Sequence, residues 1–338
     1  MSANIAIDLG TSRTRIFVPN KGILINEPSV ITFDLNDGEI IAVGKQAHRM
    51  VGRTSKDIKT IYPLTGGVIS DFSLVEGMID FFLKQVIKSK IVMPKAVACI
   101  PSEITEVEKR ATINAIKSAG IRKVYLIEAA VAAAIGSGID IKKPRGCMVV
   151  NIGAGTTNIA VISLNGLAGS GSIKVAGYQM DEEIIKHLKK EYNLLIGKRM
   201  AETIKISIGC VYKQRANRYF RVKGKNIISG FPRWVDISSD EILRVMSEVA
   251  NRIVQEINDT LERTPPELIS DIYSDGIFLS GGSAQTQGFI RLIEKKTGLP
   301  VHLANDSSSC VVKGAGIAIK YMRHSKTKTY GLINPLSQ

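Results

Sequence analysis

Three short glycine-bearing turns hold the residues of this sequence best suited to chemistry. Asp8-Leu9-Gly10-Thr11 lies between the strand-like runs Ile5-Ala6-Ile7 and Arg15-Ile16-Phe17-Val18. The same design returns in mid-chain, where Asn151-Ile152-Gly153-Ala154-Gly155-Thr156-Thr157 separates Met148-Val149-Val150 from Ile159-Ala160-Val161-Ile162. A turn of small residues between strands leaves backbone N–H groups uncovered, so it can close on phosphate oxygens. Two such turns facing each other would grip a triphosphate from both sides. Asp8, at the end of its strand, places a carboxylate where Mg²⁺ would be held beside those phosphates, mostly through water. The third turn, Gly281-Gly282, follows the strand pattern Gly276-Ile277-Phe278-Leu279 and precedes a helical stretch from about Thr286 to Lys296. There backbone can approach a ribose or α-phosphate closely. No GxxxxGK[ST] occurs and no GxGxxG follows an early strand, which disfavours the Walker and Rossmann routes to a nucleotide.

Helices must position these turns. Ser73 to Ser89 opens with a Ser73/Glu76 capping box and puts Val75, Met78, Ile79, Phe82 and Val86 on one face. Thr105 to Ala119 repeats the device with Thr105 and Glu108 and stops at Gly120. Asp181 to Tyr192 starts acidic and ends basic, as a helix dipole prefers. In Arg199 to Lys213 a stripe of Met200, Ile204, Ile208 and Val211 leaves Glu202 and Lys205 together on another face. Ser239 to Arg263 is a long helix ended by Pro265-Pro266. Strands alternating with helices around a repeated hairpin predict an α/β protein of two related lobes with helix-covered sheets.

Composition sets the outer bounds. The 338 residues are 44% hydrophobic and 22% charged with a mean hydropathy of +0.09, an ordinary globular composition with chain enough for two domains. Cys99, Cys147, Cys210 and Cys310 have no metal-ligand spacing and read as small core residues in a reducing compartment. The start, MSANIAIDLG, lacks a basic n-region and an apolar h-region, and the long apolar run Val124 to Ile141 is interrupted by Glu128 and glycines, so neither secretion nor a membrane span is expected. Forty-five Lys and Arg against 31 Asp and Glu give a net charge of +14, which attracts acidic surfaces without choosing among them. Aromatic residues are only 6% and no recognition module is visible, so no nucleic acid partner is expected.

The segments IAIDLGTSRT (5 to 14), PLTGGVISDF (63 to 72), IPSEITEVEKRA (100 to 111), LIEAAVAAAIGSG (126 to 138), VVNIGAGTTNIAVIS (149 to 163), LLIGKRMAETIK (194 to 205), LSGGSAQTQG (279 to 288) and KGAGIAI (313 to 319) resemble the actin, sugar kinase and heat-shock chaperone ATPase superfamily. The resemblance is closest to the bacterial actins of the MreB family and covers essentially the whole chain. It implies an actin-like fold: two lobes, each with a ribonuclease H-like mixed sheet flanked by helices, and a nucleotide cleft between them. The first lobe would take residues 1–140 plus 310–338, with a small subdomain at about 31–73. The second would take 141–309, with a small subdomain at about 181–244. The resemblance further implies Mg-ATP, with Asp8, Gly10, Thr11, Arg13 and Thr14 in the first phosphate loop, Asp8 meeting the metal through water, and Gly153, Gly155, Thr156 and Thr157 in the second. Glu202 and Lys205 match positions that contact adenosine, and Gly281 and Gly282 match a nucleotide-binding pair. As residues alone, Glu202 and Lys205 read first as an exposed i,i+3 ion pair on a helix.

The departures from the family pattern fall on hydrolysis. The usual Glu-Glu-Pro is Glu128-Ala129-Ala130, so the position matching the water-orienting acid is Ala129. The second phosphate loop, which usually begins with Asp, begins with Asn151, which keeps the size but brings no charge and accepts no proton. Losing one positioned base costs about 10²- to 10⁴-fold in rate. The chain is therefore expected to bind ATP and hydrolyse it slowly. Glu128 is the remaining catalytic candidate, although one residue of helical offset turns a side chain by about 100°. Thr65-Gly66 replaces the usual Lys-Asp, and Arg13 replaces the usual Asn, either adding charge near the phosphates or pointing into solvent.

The resemblance also implies a cytoplasmic protein at the inner face of the cell membrane. Its partners would be itself, in filaments of paired antiparallel protofilaments, and paralogues, with a role in cell shape or motility. Lys88-Ser89-Lys90-Ile91-Val92-Met93-Pro94-Lys95 puts an apolar tip, Ile91 to Met93, between lysines, a composition suited to an anionic leaflet or to leading into the buried strand Ala96 to Ile100. The basic tail Lys320 to Lys328 would assist. The alternatives are a non-polymerising ATP-binding filament accessory and a small-molecule kinase of the same superfamily. A kinase needs a catalytic acid and usually a longer chain. A chaperone needs a substrate domain, and the sequence runs only to Gln338.

Overall fold

A computed structural model describes residues 4–87, 94–324 and 332–333. The chain opens with an antiparallel meander, β1 (Ile5–Leu9), β2 (Arg13–Val18) and β3 (Gly22–Pro28). A small sheet of β4 (Ile31–Asp34), β5 (Ile40–Val43) and β6 (Ile58–Ile61) follows, with α1 (Lys45–Met50) between the last two strands. The hairpin of β7 (Leu64–Thr65) and β8 (Val68–Ile69) leads into α2 (Phe72–Val86). Then β9 (Lys95–Ile100), α3 (Glu106–Ser118) and β10 (Lys123–Glu128) add two strands parallel to β1. The buried helix α4 (Ala129–Gly136) comes next.

The second half repeats the plan. β11 (Cys147–Ile152), β12 (Thr157–Ser163) and β13 (Gly166–Ile173) form the meander. After α5 (Gly177–Tyr192) come β14 (Leu194–Leu195), α6 (Lys198–Ile208), β15 (Tyr219–Asn226) and β16 (Pro232–Ser238), whose three strands form a small sheet. Helices α7 (Ser239–Glu262) and α8 (Pro266–Asp275) precede β17 (Ile277–Ser280), α9 (Phe289–Thr297) and β18 (Val301–Leu303), and the two strands extend the sheet in parallel. Helix α10 (Cys310–Ala318) returns to the first half, where β19 (Leu332–Ile333) pairs with β10. The main sheets run β19-β10-β9-β1-β2-β3 and β13-β12-β11-β17-β18. Each is thus a meander continued by two parallel strands, with the antiparallel β19 added at the edge of the first, the mixed sheet expected of two related lobes.

One hydrophobic core fills each half, and a third is shared. Residues Ala129 to Ile135 of α4 and Cys310 to Ala318 of α10 pack with Ala6 and Val97 of the first sheet and with Val149, Ala160 and Ile162 of the second. The two helices cross at backbone contact: a Cβ on Gly136 would lie 1.9 Å from the Cys310 carbonyl oxygen, and one on Gly314 1.8 Å from that of Ala132. Only glycine allows this approach.

Element ends differ from expectation for local reasons. Helix α2 is capped by Asp71, whose carboxylate accepts from the Leu74 N–H at 3.1 Å and from Ser73 Oγ at 3.0 Å, so Ser73 lies one residue inside the helix and the expected Ser73/Glu76 capping box is replaced by the Asp71 cap. The Thr105/Glu108 capping box forms as read. Helix α5 begins four residues before Asp181, and α6 ends at Ile208 because the backbone turns extended at Gly209 (φ −61°, ψ 135°), where a Cβ would meet the Lys205 carbonyl oxygen at 2.2 Å. Pro266 both follows the end of α7 and starts α8, at the one helical position where proline's missing N–H costs nothing. No helix among the described residues is long and apolar enough to cross a membrane.

Candidate nucleotide-binding cleft

The two glycine hairpins face each other. Their strands pair in the same register, Asp8 opposite Arg15 and Leu9 opposite Thr14 in one, Asn151 opposite Asn158 and Ile152 opposite Thr157 in the other. At the closest approach a Cβ on Gly155 would fall 2.5 Å from Thr11 Oγ1. The Gly67 N–H donates to Thr11 Oγ1 at 2.9 Å, and Gly67 itself sits against Pro101 and Thr156, so the β7–β8 turn closes over both loops. The space enclosed is a cleft of about 570 Å³, a size suited to a small-molecule ligand.

Asp8, Gly10, Thr11, Arg13, Gly153, Gly155, Thr156, Glu202, Lys205, Gly281 and Gly282 all line this cleft, so residues far apart in sequence are brought together as the spacing required. Gly281 has a positive φ of 93° and lies against the Ile152 carbonyl oxygen and Asn151 Oδ1. A side chain there would be strained and would also collide with the second hairpin. A 3₁₀ turn, Ser283–Gln285, follows, and the helix expected from about Thr286 begins at Phe289.

Three candidates are set apart from the cleft. Thr14 is buried, and its hydroxyl shares a 2.9 Å hydrogen bond with Ser29 Oγ. Thr157, its counterpart, donates to the Val175 carbonyl at 2.7 Å. Both follow their turns by enough to point into the sheets, so they brace the hairpins from behind. Glu128 precedes the first turn of α4 and points away, while its neighbour Ala129 lines the cleft. Glu128 Oε2 is buried without a hydrogen-bond partner, and burial raises its carboxyl above the ordinary value. The membrane candidates Ile91, Val92 and Met93 lie outside the described residues.

The charges are arranged by end. At the hairpin end, Asp8 is paired with Arg15 at 3.5 Å, and burial pushes its carboxyl up despite that charge. Arg13 donates from Nε to Asn26 Oδ1 at 2.7 Å and from Nη2 to the Asn26 carbonyl at 2.9 Å, which holds it on the cleft wall. Asn151 Oδ1 accepts from Ser280 Oγ at 3.2 Å. At the other end, Lys205 does not pair with Glu202. Its ammonium donates to Asp181 Oδ2 at 2.8 Å and to the Gly177 carbonyl at 2.9 Å, which ties α6 to α5. Glu202 is left facing the cleft near Arg13, Tyr62 and Tyr178. Tyr178 meets Tyr62 edge to face, ring centres 6.1 Å apart, across the mouth.

Arg15, Asn158 and Tyr178 line the cleft and were not singled out by sequence. Strand alternation from Arg13 identifies Arg15, and the repeat of the hairpin identifies Asn158 from Arg15. Nothing local identifies Tyr178.

Two similar lobes around opposed phosphate-type hairpins define an actin-like nucleotide-site protein. The chain matches the MreB/Mbl protein family over residues 2–327 and belongs to it. Mbl, a cell shape-determining protein of Bacillus subtilis, is 42% identical over 320 residues, covering 94% of this chain and 96% of Mbl. MreB of Escherichia coli K12, also cell shape-determining, is 41% identical over 325 residues, covering 94% of each. The crystal structure of Spiroplasma citri MreB5 bound to ADP superposes with a TM-score of 0.91 at 35% identity, covering 96% of this chain and 99% of MreB5. A MamK double helical filament shares the fold with a TM-score of 0.79 at 17% identity, covering 94% of this chain and 99% of MamK.

Proposed function

We propose that this chain is an ATP-binding cytoskeletal protein that polymerises into actin-like filaments and uses the nucleotide as an assembly switch more than as fuel. The observation that carries the reading is the cleft itself, where two backbone hairpins oppose each other while the flanking positions Ala129 and Asn151 offer no base. One relative, Spiroplasma citri MreB5, solved with ADP and with AMPPNP, supports a nucleotide there. Asp8 and Asn151 are the residues that would hold Mg²⁺, through water, with the phosphates supplying the remaining ligands. One carboxylate suffices for that arrangement, and no cluster of three acidic, His or Cys side chains exists among the described residues to hold a metal unaided. The backbone N–H groups of both hairpins bind phosphate, Glu202 and Gly281-Gly282 take the nucleoside, and Lys205 acts by fixing α6. Residues 1–140 with 310–338, and 141–309, form the two lobes of this reading. Paired antiparallel protofilaments, association with paralogues, cytoplasmic location at the inner membrane face, anionic lipid contact by Ile91 to Met93, and a role in shape or motility belong to the same proposal.

Sedimentation of the purified protein with Mg-ATP, Mg-ADP or no nucleotide, with phosphate quantified in the same tubes, tests it. Pelleting with ATP and little phosphate is the expected result. No pelleting under any nucleotide would move the reading to a filament accessory or a small-molecule kinase.

A further inference from the structure

The floor of the cleft carries a cation of its own. Arg13 and Arg15 alternate with buried Thr14 on β2, so both face the cleft from one strand. Each lies within the other's field, and Arg15 is among the groups that lower the Arg13 pKa, after burial. The groups facing Arg15 are few: Asp8 on β1, Arg13 beside it, Asn26 opposite on β3, and Asp306 beyond, which is itself paired with Lys313. The contact to Asp8 is long, 3.5 Å, and uses one of the five guanidinium N–H donors. Arg15 Nε is buried with no hydrogen-bond partner among the described residues. A buried, under-used guanidinium beside a second one is a site waiting for an anion.

The same contact changes what Asp8 can offer a metal. Its carboxylate is the one acidic side chain on the hairpin-end floor, and Arg15 already balances its charge. The corresponding position in the second hairpin is the neutral Asn151. The side chains around the metal position thus add little charge of their own, so the phosphates would supply most of the hold on a divalent ion, while the floor adds an arginine fork suited to phosphate oxygens.

Resting on the ATP-site reading above, we propose that Arg15 acts as a built-in counter-cation for the terminal phosphates of a nucleoside triphosphate, so that nucleotide binding is largely independent of the divalent ion. On binding, the guanidinium turns its unused donors to phosphate and keeps the metal's contribution small.

The test is the equilibrium affinity of the full chain for a fluorescent ATP analogue, in excess Mg²⁺ and in excess EDTA. Wild type should differ by less than about fivefold between the two. Arg15→Leu, checked for folding by circular dichroism, should lose on the order of tenfold or more in EDTA and far less in Mg²⁺, because Asp8 is then free to hold the ion. Arg15→Lys, which keeps the charge without the fork, should fall between. A wild-type affinity that collapses by about a hundredfold in EDTA, or an Arg15→Leu loss equal in both buffers, overturns the proposal while leaving the ATP site intact. No binding by wild type in either buffer overturns the ATP site, and this proposal with it.

Discussion

The Asp181–Lys205 pair fixes the helix that presents Glu202 to the cleft, and its removal has a pH signature. The two side chains are 8% and 11% exposed and 2.8 Å apart. Asp181 Oδ1 has no partner of its own, and burial pushes the carboxyl up to about 6 against the pull of Lys205. Lys205→Met keeps an unbranched apolar stem and removes the charge. The carboxylate is then buried unpaired, a loss of about 3–5 kcal/mol in comparable buried pairs. That loss applies where Asp181 is ionised. Its folded pKa already lies above the ordinary 3.8 and rises further without the lysine, so the folded state takes up a proton before the unfolded state does. The stability of the variant should therefore increase as pH falls through the raised value. Thermal unfolding followed by circular dichroism should place the Lys205→Met midpoint on the order of 5–10 °C below the parent at pH 8, with a much smaller gap at pH 5. The double variant Asp181→Leu/Lys205→Met should recover most of the loss, since an apolar pair of similar volume leaves no buried charge. A deficit of equal size at both pH values would show that Lys205 contributes packing and not charge, and the electrostatic account would fail.

Three further perturbations probe the cleft and its hinge. Gly155→Ala puts a methyl 2.5 Å from Thr11 Oγ1 and 3.0 Å from two Thr11 carbons, so the hairpins must part. ATP affinity by titration should drop about tenfold, while the melting temperature changes little. Gly314→Ala drives a methyl onto the Ala132 carbonyl, a backbone atom that cannot swing aside; a net loss near 2 kcal/mol in urea unfolding is expected after the helix-propensity gain of about 1 kcal/mol, against a loss under about 1 kcal/mol for Gly197→Ala, where the space is open and only the α6 N-cap preference is lost. The double variant Ala129→Glu/Asn151→Asp should raise steady-state phosphate release by about 10²- to 10⁴-fold, and an unchanged rate would mean that these positions do not limit hydrolysis.

The parts of this molecule legible in sequence are those set by local chemistry. The paired hairpins were legible because a strand, a glycine turn and a strand recur with the same residue types. Thr105 with Glu108 formed its capping box because both partners lie within one turn. Position along a strand was the harder matter. Thr14 and Thr157 belong to the phosphate-loop segments by sequence, yet strand alternation turns both inward, to Ser29 and to the Val175 carbonyl. Glu202 and Lys205 suit each other at i,i+3, yet Lys205 finds Asp181, which lies on a helix 24 residues earlier, because that contact is buried and the local one is not. Tyr178 reaches the cleft only through the packing of α5 and had no signal in its neighbours.

On the proposed reading, the two hairpins would separate binding from hydrolysis in one fold. Both keep the backbone device: the same register and the same small residues at the turn, and a mutual approach too close for a side chain. Their side chains have diverged in charge. The first carries Asp8, Arg13 and Arg15, and the second, at the positions matching Asp8 and Arg15, carries Asn151 and Asn158. Asn158 spends its amide on Thr156 Oγ1 at 3.1 Å and its oxygen on Ser172 at 2.9 Å, which orders the second loop without charging it. Phosphate can thus be gripped by backbone from both lobes while charge comes from one. A carboxylate that activates water must stand at the cleft, and at Ala129 and Asn151 none does. On the proposed reading, a cleft with intact backbone donors and no carboxylate at those two positions would hold its triphosphate, with the lifetime of the bound state set by release and not by chemistry.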